Sequence, residues 1–202
     1  MVFVLAGVSL ASPLVNGSFE NNNLNVLGQP YAYSFQGVAA TGWTFTNGPN
    51  GGAGVQANGS AWGFSPAPNG IYTAFLQQAN ASVYQTFYMG AGGQVLHFDL
   101  EQRGCCTGGA ADSITVSIAG NTFGPITPST GSWTAYTENF VNPSAGLVTL
   151  TFTSNGVGTN DVAVGLDSVR VPEPSFLLML FAGLASVVLM VGASRRKLAL
   201  SR

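Results

Sequence analysis

The acidic and imidazole side chains with the spacing closest to a catalytic arrangement are His97, Asp99 and Glu101. In an extended strand, side chains two residues apart share one face, so the carboxylates of Asp99 and Glu101 are expected about 6–7 Å apart. That separation is near the spacing of the two carboxylates in glycoside hydrolases. The same residues would also form the solvated polar face of an ordinary strand, and the chain has no phosphate-binding loop, HExxH helix or nucleophile elbow. We therefore predict that the protein is not an enzyme.

Aromatic side chains in turn-rich segments are candidates for binding, because an exposed ring can stack on the apolar face of a sugar. Asn, Gln or Asp side chains beside such a ring can bind the sugar hydroxyls. The sequence predicts Trp62, Tyr72 and Tyr84 as ligand-binding residues, with Trp62 the best surface candidate because it lies in the segment GSAWG. Trp43 and Trp133 are expected in the hydrophobic core, and the same interpretation stays open for Trp62.

The two cysteines, Cys105 and Cys106, are adjacent and lie between glycine-rich flanks that predict a loop. Export would favour oxidation, and a disulfide between neighbours closes a tight, strained ring that stiffens a loop rather than joining distant segments. A vicinal disulfide, two free thiols and an intermolecular link therefore all remain open. A zinc site is disfavoured, since it needs about four ligands and His97 is the only histidine.

The charges of the 202-residue chain are segregated along the sequence. All eight acidic residues and two arginines, Arg103 and Arg170, precede residue 175. The other four basic residues lie together at the C-terminus, at positions 195, 196, 197 and 202. Nucleic-acid binding by the acidic part is disfavoured, because neutralising phosphates needs a basic face.

The elements that must position these side chains are strands. Gly, Asn, Ser and Pro turns separate nine predicted strands, and no amphipathic helix precedes residue 175. These strands are residues 14–19, 42–46, 71–76, 83–88, 95–102, 113–119, 133–140, 147–153 and 162–171. Two of them alternate clearly, with apolar faces formed by Leu96, Phe98 and Leu100 and by Val148, Leu150 and Phe152. This pattern predicts an all-β fold, an antiparallel jelly-roll β-sandwich.

The two ends of the chain have the character of targeting segments. Residues 1–11 are predicted to be a signal peptide with cleavage after Ala11, although the positively charged start is missing and a first β-strand is the alternative. Residues 176–193 contain no charge and are long enough to form a transmembrane helix, followed by a basic tail at 194–202. Basic residues after an apolar span tend to stay in the cytoplasm, so residues 12–171 are expected outside the cell.

Residues 172–202 resemble the PEP-CTERM sorting signal of exported bacterial proteins. The resemblance is carried by Pro172, Glu173 and Pro174, followed by the apolar span and the basic tail. It implies that an exosortase recognises the three residues as a sorting motif and cuts near them, so that the helix anchors the protein only transiently in the inner membrane. The residues alone predict an anchor.

Four short motifs resemble those of galactose-binding-like β-sandwiches, which are common among carbohydrate-binding modules. They are NGSFE at 16–20, GW at 42–43, Trp133, and GLDSVRV at 165–171. The resemblance implies a structural calcium ion held by Glu20 and Asp167, with backbone carbonyls and water completing the shell of six to eight oxygens. In the alternative interpretation, Glu20 caps a turn and Asp167 accepts hydrogen bonds from backbone amides.

Together these observations predict a noncatalytic, exosortase-sorted protein of the cell surface or extracellular matrix. Its expected partner is an exopolysaccharide or another glycan. The alternative is a purely structural matrix component without a discrete ligand.

Overall fold

The computed structural model describes residues 14–105, 110–156 and 161–172. The chain divides into two compact units, Met1–Val171 and Pro172–Arg202. The predicted signal peptide, transmembrane helix and basic tail lie outside the described residues. Within the three described ranges, no helix has the length and apolar character needed to span a membrane.

The described residues form eleven strands, one short α-helix and one 3₁₀ helix. In chain order they are α1 (Leu24–Leu27), β1 (Tyr31–Tyr33), the 3₁₀ helix (Ser34–Gln36), β2 (Thr44–Thr46), β3 (Ala53–Ala57), β4 (Tyr72–Gln77), β5 (Ser82–Met89), β6 (Gly92–Gln102), β7 (Ile114–Ile118), β8 (Asn121–Ile126), β9 (Thr134–Asn142), β10 (Gly146–Ser154) and β11 (Ala163–Arg170).

The strands form two sheets. One has six strands in the order β1-β3-β4-β11-β6-β9, and the other has five in the order β2-β5-β10-β7-β8. Every pairing between neighbouring strands is antiparallel. The predicted all-β, antiparallel sandwich of two sheets is therefore confirmed.

The main core lies between the sheets and follows the predicted alternation. Leu96, Phe98 and Leu100 on β6 are buried, as are Leu150 and Phe152 on β10. The rings of Phe98 and Phe152 meet edge to face across the core, with centroids 5.3 Å apart. Each such side chain contributes about 1.5–3 kcal/mol by leaving water, so this contact region carries much of the stability of the sandwich.

Eight of the nine predicted strands are present, and the predicted strand at 14–19 is wrong. Asn16 and Phe19 adopt left-handed backbone conformations, with φ of 53° and 57°. The Phe19 N–H donates to the Asn16 carbonyl, and the Asn16 side chain bonds the backbone of Asn21 and Thr41. Asn tolerates the left-handed conformation well, so this segment folds into a turn instead of a strand.

Three strands were missed because their sequences lack the usual strand signals. β1 has only three residues, and β3 has the sequence AGVQA, with weak intrinsic strand preference. β8 contains Gly124 and Pro125 and lies at the edge of its sheet, where proline is tolerated. Pairing with longer neighbours, not local propensity, makes these segments strands.

Candidate functional site

Trp62 is not an exposed binding platform. Residues 58–67, which we call the covering loop, place the Trp62 indole in a second hydrophobic cluster, where it is 3% exposed. The indole stacks on Phe75 with centroids 4.2 Å apart, and the guanidinium carbon of Arg103 lies 4.6 Å from its centroid. The prediction that Trp62 is the best surface candidate is therefore wrong, and the alternative core interpretation holds.

Tyr72 and Tyr84 do not join Trp62 in one site. Tyr72 belongs to the main core and its hydroxyl donates to Asn25 Oδ1 at 2.8 Å. Tyr84 is half-buried on β5, in the other sheet. Trp43 is buried in the main core as predicted, whereas Trp133 is half-buried against the second cluster. The three predicted binding residues are thus distributed over separate parts of the sandwich.

The polar face of β6 is not the solvated pair of carboxylates that a hydrolase would use. Glu101 is fully buried and its oxygens accept the Ser65 backbone N–H at 3.0 and 3.1 Å and the Ser65 hydroxyl at 3.0 Å. Asp99 remains partly exposed, and His97 Nδ1 lies 2.9 Å from Thr137 Oγ1. Glu101 therefore holds the covering loop against the sheet.

A different set of residues forms an open groove of about 440 Å³. Its walls are Tyr33, Phe35, Gln77 and residues 47–51, and we call it the aromatic groove. Phe35 is 66% exposed and stacks on Tyr33, with centroids 4.8 Å apart and an interplanar angle of 14°. An exposed ring backed by a second ring, beside Asn and Gln amides, is the arrangement expected for a sugar platform.

Local sequence explains why Phe35 projects outward. The chain leaves β1 through the 3₁₀ helix, and Gly37 ends that helix in a left-handed conformation with φ of 87°. The Tyr33 N–H donates to Gln36 Oε1 at 2.9 Å, and the Gly37 N–H donates to the Ser34 carbonyl at 3.0 Å. Glycine reaches this conformation without steric cost, so the turn is tight and Phe35 lies at its tip.

The opposite wall of the groove depends on glycine for close approach. A Cβ at Gly48 would lie 2.1 Å from the Ala79 carbonyl oxygen, and one at Gly51 would lie 2.3 Å from the Gln77 carbonyl oxygen. Asn47 Oδ1 accepts the Ser34 hydroxyl at 2.9 Å, which links this loop to the 3₁₀ helix. The loop is therefore held against the end of β4, and a side chain at Gly48 or Gly51 would push it away from these carbonyls.

A chain of polar contacts connects the groove to the buried Arg103. The Tyr33 hydroxyl donates to Gln77 Oε1 at 2.6 Å, the Gln77 amide donates to Asp161, and Asp161 pairs with Arg103. Burial, with the negative charge of Asp161 as the next cause, raises the pKa of Tyr33 to about 12. Tyr33 therefore keeps its proton at neutral pH, and Gln77 is fixed in one orientation.

The carboxylates of Glu20 and Asp167 both lie beside residues 69–72, where the loop before β4 meets that strand. Glu20 Oε1 accepts the backbone N–H groups of Ile71 and Tyr72 at 2.9 and 2.8 Å. Asp167 Oδ2 accepts the Asn69 N–H at 3.0 Å. Asp167 precedes a bulge in β11, where one extra residue shifts the register against β6. The two residues thus accept backbone amides, as their alternative interpretation requires.

The charge of this region still fits a cation. Burial raises the pKa of Asp167 to about 7, and the negative charges of Asp99 and Glu20 act in the same direction. Backbone hydrogen bonds to the carboxylate partly oppose this rise. In the part of the chain that the structure describes, Arg103 with Asp161 is the one ion pair, so no basic group neutralises these carboxylates. The described residues contain no group of three His, Cys, Asp or Glu side chains arranged to hold a metal. A calcium ion would therefore need backbone carbonyls or water as its other ligands.

The remaining predicted site residues lie at the margins of the described structure. Cys105 is exposed, and Cys106 lies outside the described residues, so the redox state of the pair stays a prediction. Pro172 is exposed, and Glu173 and Pro174 also lie outside the described residues.

Solved structures with this architecture include carbohydrate-binding modules. TmCBM61, solved in complex with β-1,4-galactotriose, is 14% identical over 79% of this chain and 97% of its own, with a TM-score of 0.52. Family 16 Carbohydrate Binding Module-2 is also 14% identical, over 79% and 98%, with a TM-score of 0.44. The K1 cleaved adhesin domain of Lys-gingipain from Porphyromonas gingivalis W83 is 13% identical, over 78% and 96%, with a TM-score of 0.46. No protein-family model and no curated protein matches the chain. At such identity the likeness to TmCBM61 establishes the fold alone, a β-sandwich of two antiparallel sheets.

Proposed function

We propose that residues 12–171 form a noncatalytic module that binds exopolysaccharide or another glycan in the aromatic groove. The observation that carries this proposal is the exposed Phe35 ring, stacked on Tyr33 in a groove that also contains amide side chains. Leaving so much aromatic surface in water is unfavourable, and a sugar stacked on it would cover that surface. The burial of Glu101 argues against the hydrolase alternative, because its carboxylate is occupied by Ser65.

A panel of soluble polysaccharides tests this proposal. β-1,4-Galactan belongs in the panel, because TmCBM61, whose fold the domain shares, was solved with β-1,4-galactotriose. We expect saturable binding of at least one polymer by the full chain, purified in a detergent that carries no sugar headgroup. Binding of none would contradict the proposal and favour a purely structural matrix component.

The second part of the proposal concerns export. We expect residues 1–11 to direct the chain across the cytoplasmic membrane, and Pro172, Glu173 and Pro174 to be recognised by an exosortase while residues 176–193 anchor the protein. Its support is the order of the sequence: the motif, an uncharged segment and a basic tail. The destination would be the cell surface or the extracellular matrix.

An alkaline phosphatase reporter inserted before Pro172 tests the direction of export. We expect enzymatic activity, because this reporter folds only outside the cytoplasm. Replacing Pro172, Glu173 and Pro174 together with alanine should move the protein from the released fraction to the membrane fraction. An inactive reporter would contradict export, and an unchanged distribution of the triple variant would contradict recognition of the motif.

A structural calcium ion held by Glu20 and Asp167 is the third part. Its support is the buried carboxylate of Asp167 near two other carboxylates, without a basic partner in the described residues. The ion would supply the missing positive charge. It would also link the turn after the NGSFE motif, the loop before β4 and the last strand.

Calcium is expected to stabilise the protein against heat. At a concentration ten times the dissociation constant, binding adds about 1.4 kcal/mol, which for a domain of this size raises Tm by about 3–6 °C. Differential scanning fluorimetry with Ca²⁺, Mg²⁺ and EGTA would measure this shift. Asp167→Asn and Glu20→Gln should each abolish it, while Glu138→Gln on β9 serves as the control. Identical Tm values in Ca²⁺ and EGTA would mean that the two carboxylates only accept backbone amides.

A further inference from the structure

We infer that the aromatic groove selects uncharged polysaccharides and rejects polyanionic ones such as polyuronates, an inference that rests on the glycan-binding function proposed above. Bacterial matrices contain polymers of both kinds, so the distinction defines the substrate class of the site. Its basis is the balance of charges and of hydrogen-bond donors around the groove.

Among the described residues that line the groove, none is basic. Residues 47–51 have the sequence NGPNG, and the other wall residues are Tyr33, Phe35 and Gln77. Binding of a carboxylate or sulfate normally uses arginine, lysine or a cluster of backbone amides, since the anion loses its hydration on entry. This groove offers rings and neutral amides, which suit hydroxyl groups and the C–H faces of sugars.

The charged side chain that hydrogen bonds link to the groove is Asp161, an acidic residue paired on its other side with the buried Arg103. Asp161, with 41% of its side chain exposed, receives the amide hydrogen of Gln77, whose oxygen in turn accepts the Tyr33 hydroxyl proton. Because the Tyr33 proton is engaged by Gln77, only the lone pairs of the Tyr33 oxygen are left for a further hydrogen bond. A sugar hydroxyl can donate to these lone pairs, whereas a carboxylate or sulfate has only acceptors and would be repelled.

The overall charge of the described residues also disfavours binding of a polyanion. The described residues include seven acidic side chains and two arginines. Arg103 is 8% exposed and engaged with Asp161, so it does not offer its charge to a ligand, and Arg170 lies on β11, outside the groove walls. A polyanion approaching the groove is therefore repelled at low ionic strength.

A matched pair of polymers tests the inference. The neutral polysaccharide that binds best in the panel is oxidised at C6, which converts primary hydroxyls to carboxylates on the same chain. We expect the affinity of the full protein, measured by isothermal titration calorimetry in 10 mM salt, to fall at least tenfold on oxidation. Part of this loss should disappear in 500 mM salt, because screening weakens repulsion but does not restore a lost hydroxyl contact.

A charge placed in the groove should reverse the preference. Asn50→Lys, at an exposed wall position, is expected to raise the ratio of oxidised to neutral affinity at least threefold. Asn139→Lys adds the same charge at an exposed position on β9 and should leave the ratio unchanged. An equal rise in both variants would show that net charge, not the groove, controls the choice.

The outcomes separate the inference from the function on which it rests. Binding of no polymer, neutral or charged, would overturn the glycan-binding proposal itself. Equal or tighter binding of the oxidised polymer, or binding confined to native polyuronates, would overturn the selectivity while leaving glycan binding in place.

Discussion

Phe35→Ala is expected to lower the affinity for a neutral polysaccharide about thirtyfold or more, a loss of about 2 kcal/mol, typical of a central aromatic contact in an interface. The ring is 66% exposed, so its removal leaves no cavity in the core and should hardly change stability. It does remove the surface on which a sugar would stack and uncovers one face of Tyr33. Affinity would be measured by calorimetry on wild type and variant under the same conditions.

Two matched variants make the Phe35 result interpretable. Phe35→Trp preserves a stacking ring and should retain most of the affinity. Val26→Ala removes another strongly exposed apolar side chain, on α1, and should have no effect on binding. If Phe35→Ala bound as tightly as wild type, the aromatic groove would not be the binding site, even if the protein bound glycans elsewhere.

Glu101→Ala is expected to destabilise the domain by about 3 kcal/mol. The carboxylate is fully buried, and its removal leaves the Ser65 N–H without an acceptor and the Ser65 hydroxyl with only the Gly131 carbonyl, at 3.2 Å. Hydrogen bonds to a charged group contribute about 1.5–3 kcal/mol each, and an unpaired buried donor adds a desolvation cost. For a domain of this size, the change corresponds to a fall in Tm of about 6–12 °C.

The covering loop should loosen in the same variant. Ser65 also accepts the Trp133 indole N–H at 3.1 Å, so releasing Ser65 weakens the cover over Trp62. Acrylamide quenching of tryptophan fluorescence would therefore increase below the unfolding temperature. Asn139→Ala, on the exposed face of β9, is the control and should change stability by less than about 0.5 kcal/mol. Equal Tm values for the two variants would contradict the proposed role of Glu101.

Which face of a strand is buried could be predicted from sequence where apolar and polar residues alternate within that strand. On β6 and β10, apolar residues alternate with polar ones, and a period of two places all of them on one side whatever the neighbouring strands are. The burial of Trp43 was predicted on a different ground, the usual burial of large aromatic side chains. The reasoning from alternation failed for Glu101, because the covering loop that buries this residue comes from 36 positions earlier in the chain.

The site was missed for a related reason. Trp62 was predicted at the surface because its neighbours are turn formers, and Phe35 was not among the predicted binding residues. Turn residues indicate only that the backbone reverses there. Whether a ring at a turn faces water depends on what lies beneath it. Trp62 stacks on Phe75 and is 3% exposed, whereas Phe35 stacks on Tyr33 and keeps 66% of its surface exposed. The SFQG turn was a usable local signal, but nothing near it in sequence marked residues 47–51 as the opposite wall.

The sequence by itself determined the segregation of acidic and basic residues, the uncharged segment at 176–193, and the alternation that makes an antiparallel sandwich, since each depends on residue type and spacing along the chain. Only the tertiary structure decided which aromatic rings face water, how Gln77 is oriented between Tyr33 and Asp161, and that Glu20 and Asp167 reach the same loop. These properties arise from contacts between residues tens of positions apart. Their free energies depend on how segments pack against one another, which spacing in a sequence does not specify.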